Sequence, residues 1–319
     1  MYKEFFGLKE SPFNVNPDPR YLYLTKQTQE AFACLTYGIE ARKGFILLTG
    51  EVGTGKTTLL NRLLDWLRTQ RATTAFIFNP RLSVTQLLDF MMTDFGIPCE
   101  SKLKSQVLLR LNHWLLERYQ AGETAVLIID EAQNLSPQVL EEIRLLTNLE
   151  TSTEKLLQIV LAGQPELELK LAQPQLRQLR QRITLRSKTQ ALSLEETEGY
   201  IHERLRIAGA SDLDAFSPEA IAAVHRYARG IPRVINLLCE HSMINAFVDH
   251  QKPVRSETVE EVAKEFQLDR IDPVAQAVTP APPNGSGPLV QSLLQNLANL
   301  IERIGQQEHT LESSRERKP

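Results

Sequence analysis

From residue 45 to about 187, short runs of nearly continuous apolar residues alternate with longer stretches of helical spacing. FILLT (45–49), TAFIF (74–78), AVLII (125–129), LQIVLA (157–162) and ITLRS (183–187) predict strands. Their lack of a polar face fits a parallel sheet covered on both sides. The stretches between them predict helices with recognisable starts. Ser83 with Gln86 can close a capping box ahead of LLDFMM, and Ser136 before Pro137 reads as an N-cap with proline at the first helical position. After about residue 190 the strand signal stops. Ser193 with Glu196, Ser217-Pro218, Pro232 and Ser256 open four helices, the second stopping at Gly230. The first 30 residues are rich in aromatics and turn formers, and the prolines of NPDPRYLYL forbid a continuous helix there.

The pattern predicts an α/β protein: a three-layer αβα unit with a parallel sheet over residues 1–190, then a small all-helical unit over 191–268. A Pro/Gly-rich linker follows over 269–288, with VAQAVTPAPPNGSGP at its heart. In the tail, 289–319, Val290, Leu293, Leu297, Leu300 and Ile304 fall at heptad a and d spacing and Leu311 continues it. That spacing predicts a short coiled coil or a partner-docking helix. Its polar face of Gln and Asn argues against a membrane-surface helix.

Composition narrows the class only a little. The 319 residues are 42% hydrophobic and 24% charged, ordinary for a globular chain. A net charge of −3 gives no global attraction to nucleic acid, so any such binding must come from a local patch. One patch stands out: LRQLRQRITLR (176–186) gathers Arg177, Arg180, Arg182 and Arg186 without an acid. Cys34, Cys99 and Cys239 lack metal-ligand spacing and read as inert thiols in a reducing compartment. No signal-peptide pattern and no stretch of about 20 apolar residues is present. The expected location is therefore cytoplasmic.

The strongest chemical signal is Gly50-Glu51-Val52-Gly53-Thr54-Gly55-Lys56-Thr57, with Thr58 following, set between the first predicted strand and a helix. It matches G-x-x-x-x-G-K-[ST], a phosphate loop, in the context that motif needs. Its glycines let backbone N–H groups curl round phosphate oxygens, and the helix N-terminus adds partial positive charge. Lys56 is expected to reach the β- and γ-phosphates and Thr57 to bind Mg²⁺. AVLIIDEAQ then ends a buried strand in Asp130 and Glu131. Asp130 would hold Mg²⁺ through water, and Glu131 would polarise the attacking water. A guanine-selecting Asn-Lys-x-Asp stretch is absent, which argues against a GTPase, and DEAQ alone is too little for a helicase.

GEVGTGKTT, LIIDEAQNL, LQIVLAGQPEL, LRQLRQRI and GIPRVIN occur in that order behind an opening FFGLKESPFNVNPDPRYLYL. Together they resemble AAA+ ATPases of the ExeA/GspA secretion type, whose relatives include pilus-biogenesis, exosortase-associated and transposition target-selecting ATPases. The resemblance covers residues 1 to about 268. It implies bound ATP and Mg²⁺, and a role for Gln164 as the polar sensor near the γ-phosphate or attacking water. It also implies that Arg233 acts as a second sensor linking the γ-phosphate to the helical lid. Active sites would lie between copies in a homo-oligomeric ring such as a hexamer. Arg180 or Arg182 would then be the arginine finger acting in trans, with Arg177 as a helper and Arg186 on a solvated face. By the same analogy, Phe13 to Tyr23 packs near the adenine and the neighbouring subunit.

For the task, the preferred expectation is assembly of a cell-envelope secretion, pilus or exopolysaccharide-export system, with the tail helix recruiting partners and, through them, the inner membrane. A DNA-bound regulator of transposition is the alternative, with Lys102 and Lys104 hinting at a basic groove. A nucleotide-gated switch with little turnover is a third. ExeA/GspA-type proteins continue into a transmembrane helix and a periplasmic domain, and neither pattern follows here.

Overall fold

The computed structural model describes residues 1–78, 81–98, 103–210 and 212–268. The linker, the heptad tail, Cys99 and Lys102 lie outside the described residues.

In chain order the helices and strands are α1 (Tyr2–Phe5), α2 (Lys26–Glu40), β1 (Phe45–Thr49), α3 (Lys56–Thr69), β2 (Ala72–Ile77), α4 (Val84–Asp94), α5 (Lys104–Gln120) and β3 (Thr124–Ile129). They continue as α6 (Pro137–Leu146), β4 (Leu157–Gly163), α7 (Pro165–Leu171), α8 (Arg177–Arg182), β5 (Leu185–Lys188), α9 (Leu194–Ile207), α10 (Pro218–Ala228), α11 (Pro232–Val248) and α12 (Ser256–Glu265). The strands form one sheet in the order β2-β3-β4-β1-β5, every pairing parallel.

Period-two alternation sorts the apolar strands onto two cores. Phe45, Leu47, Leu127 and Ile159 face the core shared with α4 to α8. Ile46, Leu48, Ile128 and Val160 face the core shared with α2 and α3. Both faces are thus covered, as the unbroken apolar runs predict. The Ser83–Gln86 and Ser193–Glu196 capping boxes both form, and Ser136 and Ser217 cap α6 and α10. The two edge strands differ from the predicted ranges. β2 starts at Ala72 because the ladder with β3 runs back to Thr124, and β5 spans Leu185 to Lys188 where it pairs with β1.

A third core joins α9 to α12. It also contains Phe6, Leu8 and Phe13, so the opening segment is not a simple extension of the sheet unit as the division at residue 190 expects. Tyr2 anchors the same segment by donating to Glu240 on α11 at 2.6 Å. Burying three aromatic and aliphatic side chains outweighs sequence proximity to β1.

No helix among the described residues is long and apolar enough to cross a membrane.

Candidate functional site

The order of strands builds the site. β3, β4 and β1 are adjacent, so their C-terminal ends place Asp130–Glu131, Gln164 and the loop 50–57 side by side at one edge of the sheet. This is where open parallel sheets place ligand crevices. Gly50 N–H donates to Gly163 O at 3.2 Å, stitching the loop to the end of β4.

The loop is shaped by Gly53 (φ +80°) and Gly55 (φ +93°), both left-handed, and Lys56 then begins α3. Gly53 also permits a close approach, since a Cβ there would lie 2.8 Å from the Arg233 Cβ. Thr54 donates to Glu51 O at 2.7 Å, so in its 2.7 Å contact with Thr189 the Thr189 hydroxyl must be the donor. Lys56, 5% exposed, donates to Gly50 O and Glu51 O at 2.7 and 2.9 Å. Burial pushes its pKa down, opposed by the charges of Glu131, Asp130 and Glu51.

Thr57 Oγ1 donates to Asp130 Oδ2 at 2.9 Å. The second oxygen of Asp130 accepts from Glu131 N–H at 2.8 Å. Asp130 is 3% exposed, and burial raises its pKa above the usual carboxylate range despite these bonds. A hydroxyl and a desolvated carboxylate held side by side fit a small hard cation, which completes its shell from water and phosphate oxygens rather than from a protein cage. No group of three or more His, Cys, Asp or Glu side chains able to hold a metal occurs among the described residues.

An acid whose pKa is raised on folding binds more protons in the native state. Its contribution to stability therefore falls as pH rises from the unfolded towards the folded pKa. Asp130→Asn removes that penalty, and its amide can still accept from Glu131 N–H and donate to Thr57. We expect a higher Tm near neutral pH for the nucleotide-free variant. A Tm lowered by several degrees would show that the carboxylate stabilises the fold.

Glu131 has φ +53°, a left-handed conformation rare for a non-glycine residue. Two glutamines hold its carboxylate. Gln164 Nε2 donates at 3.1 Å and Gln133 Nε2 donates to the same oxygen. Gln133 Oε1 in turn accepts from Gln164 N–H at 3.1 Å, and Lys170 donates to the carbonyls of Gln133 and Leu135.

Beside the loop lies a cavity of about 310 Å³. Its floor is Val52, Gly53 and Gly55 to Thr58, with Glu131 at one side. One wall is the segment from Val15 to Asp18 with Tyr21, and the other comes from Tyr200, Arg204, Pro232, Arg233 and Asn236. Arg233 N–H donates to Gly53 O at 3.2 Å, so the start of α11 docks directly on the loop.

Of the residues expected from sequence, the structure brings together the loop, Asp130, Glu131, Gln164 and Arg233. Arg180 and Arg182 on α8 do not line the cavity. Arg182 donates to Arg144 O, Thr147 Oγ1 and Asn148 Oδ1, where α6 ends. Arg180 is exposed and its side chain has no partner among the described residues. Lys104 pairs with Glu142 at 2.5 Å. Sequence reasoning missed Gln133, Lys170, Arg204 and Asn236. Only Gln133 left a signal, two positions after Glu131.

The fold and this loop define a P-loop protein of the AAA class. A family model described as AAA domain matches residues 39–171. Within that class the chain is similar to a secretion-pathway protein. It is 47% identical over 248 residues to General secretion pathway protein A of Aeromonas hydrophila, covering 77% of this chain but only 45% of that protein. The chain thus spans under half the length of that relative. Solved structures agree in fold. The Aeropyrum pernix ORC2 protein, in its ADPNP–ADP complexes, matches with a TM-score of 0.63 at 16% identity, covering 85% of this chain and 75% of that one. The Thermotoga maritima RuvB Holliday junction branch migration motor matches with a TM-score of 0.52 at 16% identity, covering 79% and 73%.

Proposed function

We propose that this chain binds ATP with Mg²⁺ and hydrolyses it in an oligomer, using nucleotide-driven assembly to build or remodel a cell-envelope secretion, pilus or exopolysaccharide-export system. The observation that carries the hydrolytic part is the placement of Glu131 at the side of the phosphate-loop cavity, next to the Thr57–Asp130 pair. The envelope role is supported by the likeness to General secretion pathway protein A.

In this reading Gly50 to Thr58 hold the phosphates through backbone N–H groups and the start of α3. Lys56 leaves the carbonyls of Gly50 and Glu51 for the β- and γ-oxygens. Thr57 and Asp130 hold Mg²⁺, which when bound neutralises charge on the phosphate oxygens. Glu131 takes the proton of the attacking water, oriented by Gln164 and Gln133. Arg233, docked against Gly53, reports the state of the γ-phosphate to the helices 191–268, which act as a lid on the nucleotide-binding unit 1–190. Of the cations a DNA-tracking alternative would use, Arg182 caps α6 and Lys104 pairs with Glu142, while Arg177, Arg180 and Arg186 stay exposed.

Lys56→Ala tests the site. Losing a charge-assisted contact weakens ATP binding by about 10- to 100-fold in calorimetry. Wild-type affinity in the variant would remove the cavity from consideration.

A further inference from the structure

α11 carries only two residues of formal charge in 17, Arg233 and Glu240. A helix with so little charge is ordinarily buried on every side. One side of α11 is, with Ile235, Leu238, Cys239 and Met243 in the core of the helical unit. The opposite side is not. Leu237, Ile244 and Val248 recur at intervals of seven and four residues, which lines them up along the helix. Leu237 is half-buried, Ile244 is 37% exposed and Val248 is 67% exposed.

This stripe is the floor of a groove. On one side stand Tyr2, which donates to Glu240, and Phe5, whose ring centroid lies 5.7 Å from that of Phe247. On the other side stands Phe266 at the end of α12, 4.7 Å from the His241 ring. Towards the start of α11 the groove opens into a cavity of about 300 Å³, where Leu237 and His241 face Ser11 and the residues from Phe13 to Val15.

An apolar surface of this kind marks a docking site, and the sequence supplies an occupant. The described fold ends at Leu268, two positions after Phe266 and packed on the same core, so the chain leaves at the rim of the groove. Roughly 20 residues later, Val290, Leu293, Leu297, Leu300 and Ile304 fall at heptad spacing. A stretch of that length reaches up to about 70 Å, well beyond what the groove demands. A helix over 290–304 is about 21 Å long, against about 17 Å from Leu237 to Val248. The two surfaces match in charge as well. Residues 289–301 contain no charged side chain, and between Leu237 and Val248 only Glu240 carries a formal charge, already bonded to Tyr2.

We propose that residues 290–304 dock as a helix on this face of α11 in the same chain, their heptad seam covering Leu237, Ile244 and Val248. The groove shares Val15 and Asn236 with the cavity beside the phosphate loop, so the docked segment braces a wall of that cavity. A partner that uses the same seam must first displace it, which makes the tail a latch on the helical unit.

The test places the photo-crosslinker p-benzoyl-phenylalanine at Val248 of the full chain, with Ile244 as a second probe position one turn back. Leu109, 69% exposed but on α5 in the sheet unit, is the control position. Equal amounts of isotope-labelled and unlabelled protein are mixed and irradiated, and the cross-linked peptides are read by mass spectrometry. Both α11 positions should capture residues 289–304 within one chain, at least about tenfold more often than Leu109 does. Leu297→Glu together with Leu300→Glu should lower that yield by about tenfold or more, since a carboxylate cannot be buried against the stripe. Equal capture from Leu109 would mean chance collision and overturn the proposal. So would no capture of the tail from α11, or capture that survives the two glutamates. Capture only between labelled and unlabelled chains would overturn it too, and would give the groove to a second copy.

Discussion

Glu131→Gln is expected to bind ATP with near-wild-type affinity and to hydrolyse it about 10²- to 10⁴-fold more slowly. The two halves of that expectation come from different parts of the site. In the proposed site, affinity would come from backbone donors of the loop 50–57, the start of α3 and Lys56, none of which the substitution touches. Turnover needs an acceptor for the proton of the attacking water, and an amide is a poor one at neutral pH. The substitution also keeps the volume and the left-handed backbone at φ +53°. That conformation follows from Asp130, whose Oδ1 accepts the Glu131 N–H and turns the chain so that the side chain flanks the cavity. Gln133 and Gln164 then fix the carboxylate. Single-turnover phosphate release with bound ATP isolates the chemical step. A variant with a wild-type release rate would move the proton acceptor to another residue, and one that failed to bind ATP would show that the carboxylate is structural.

The parts of this site that were legible in the sequence are those whose chemistry is local. A phosphate loop works through consecutive backbone N–H groups, so its spacing is its function, and Gly50 to Thr57 could be read directly. Asp130 and Glu131 were legible only together with the phosphate loop, since an acid pair after a strand is often just a helix start. Gln164 and Arg233 needed a resemblance, since a glutamine after a strand or an arginine after Gly230-Ile231-Pro232 carries no chemistry by itself. Arg204 could not be found either way. It lies in a helix opened by the Ser193–Glu196 capping box, among charged residues with the look of a solvated surface. Its burial depends on Tyr21 and Asn14, nearly 200 positions away. Phe6, Leu8 and Phe13 escaped assignment for the same reason, because only the tertiary fold places them in the core of α9 to α12.

The cluster at 176–186 shows how the structure divides residues that sequence treats alike. Leu176, Leu179 and Ile183 are buried against the sheet core and fix the orientation of α8. Arg182 then points back to the end of α6, where its guanidinium adds a donor to Arg144 O and to the side chains of Thr147 and Asn148. Arg182→Ala should therefore cost stability of about 1–2 kcal/mol, seen as a lower denaturant midpoint, rather than chemistry. Arg180 remains exposed ahead of the edge strand β5, where a neighbouring molecule could meet it.

If that neighbour is a second copy, Arg180→Ala should lower kcat by about 10³- to 10⁵-fold while ATP binding is kept. Subunit mixing separates this from a local effect. Arg180→Ala copies keep an intact phosphate loop, and Lys56→Ala copies keep an intact Arg180. In an equal mixture about a quarter of head-to-tail interfaces pair the two good halves, so activity should return to a corresponding fraction of wild type. Mixed assemblies without recovery would confine the defect to its own subunit and exclude a finger at Arg180. Recovery would mean that a hydrolytic site is complete only between copies, which makes assembly itself the switch for turnover.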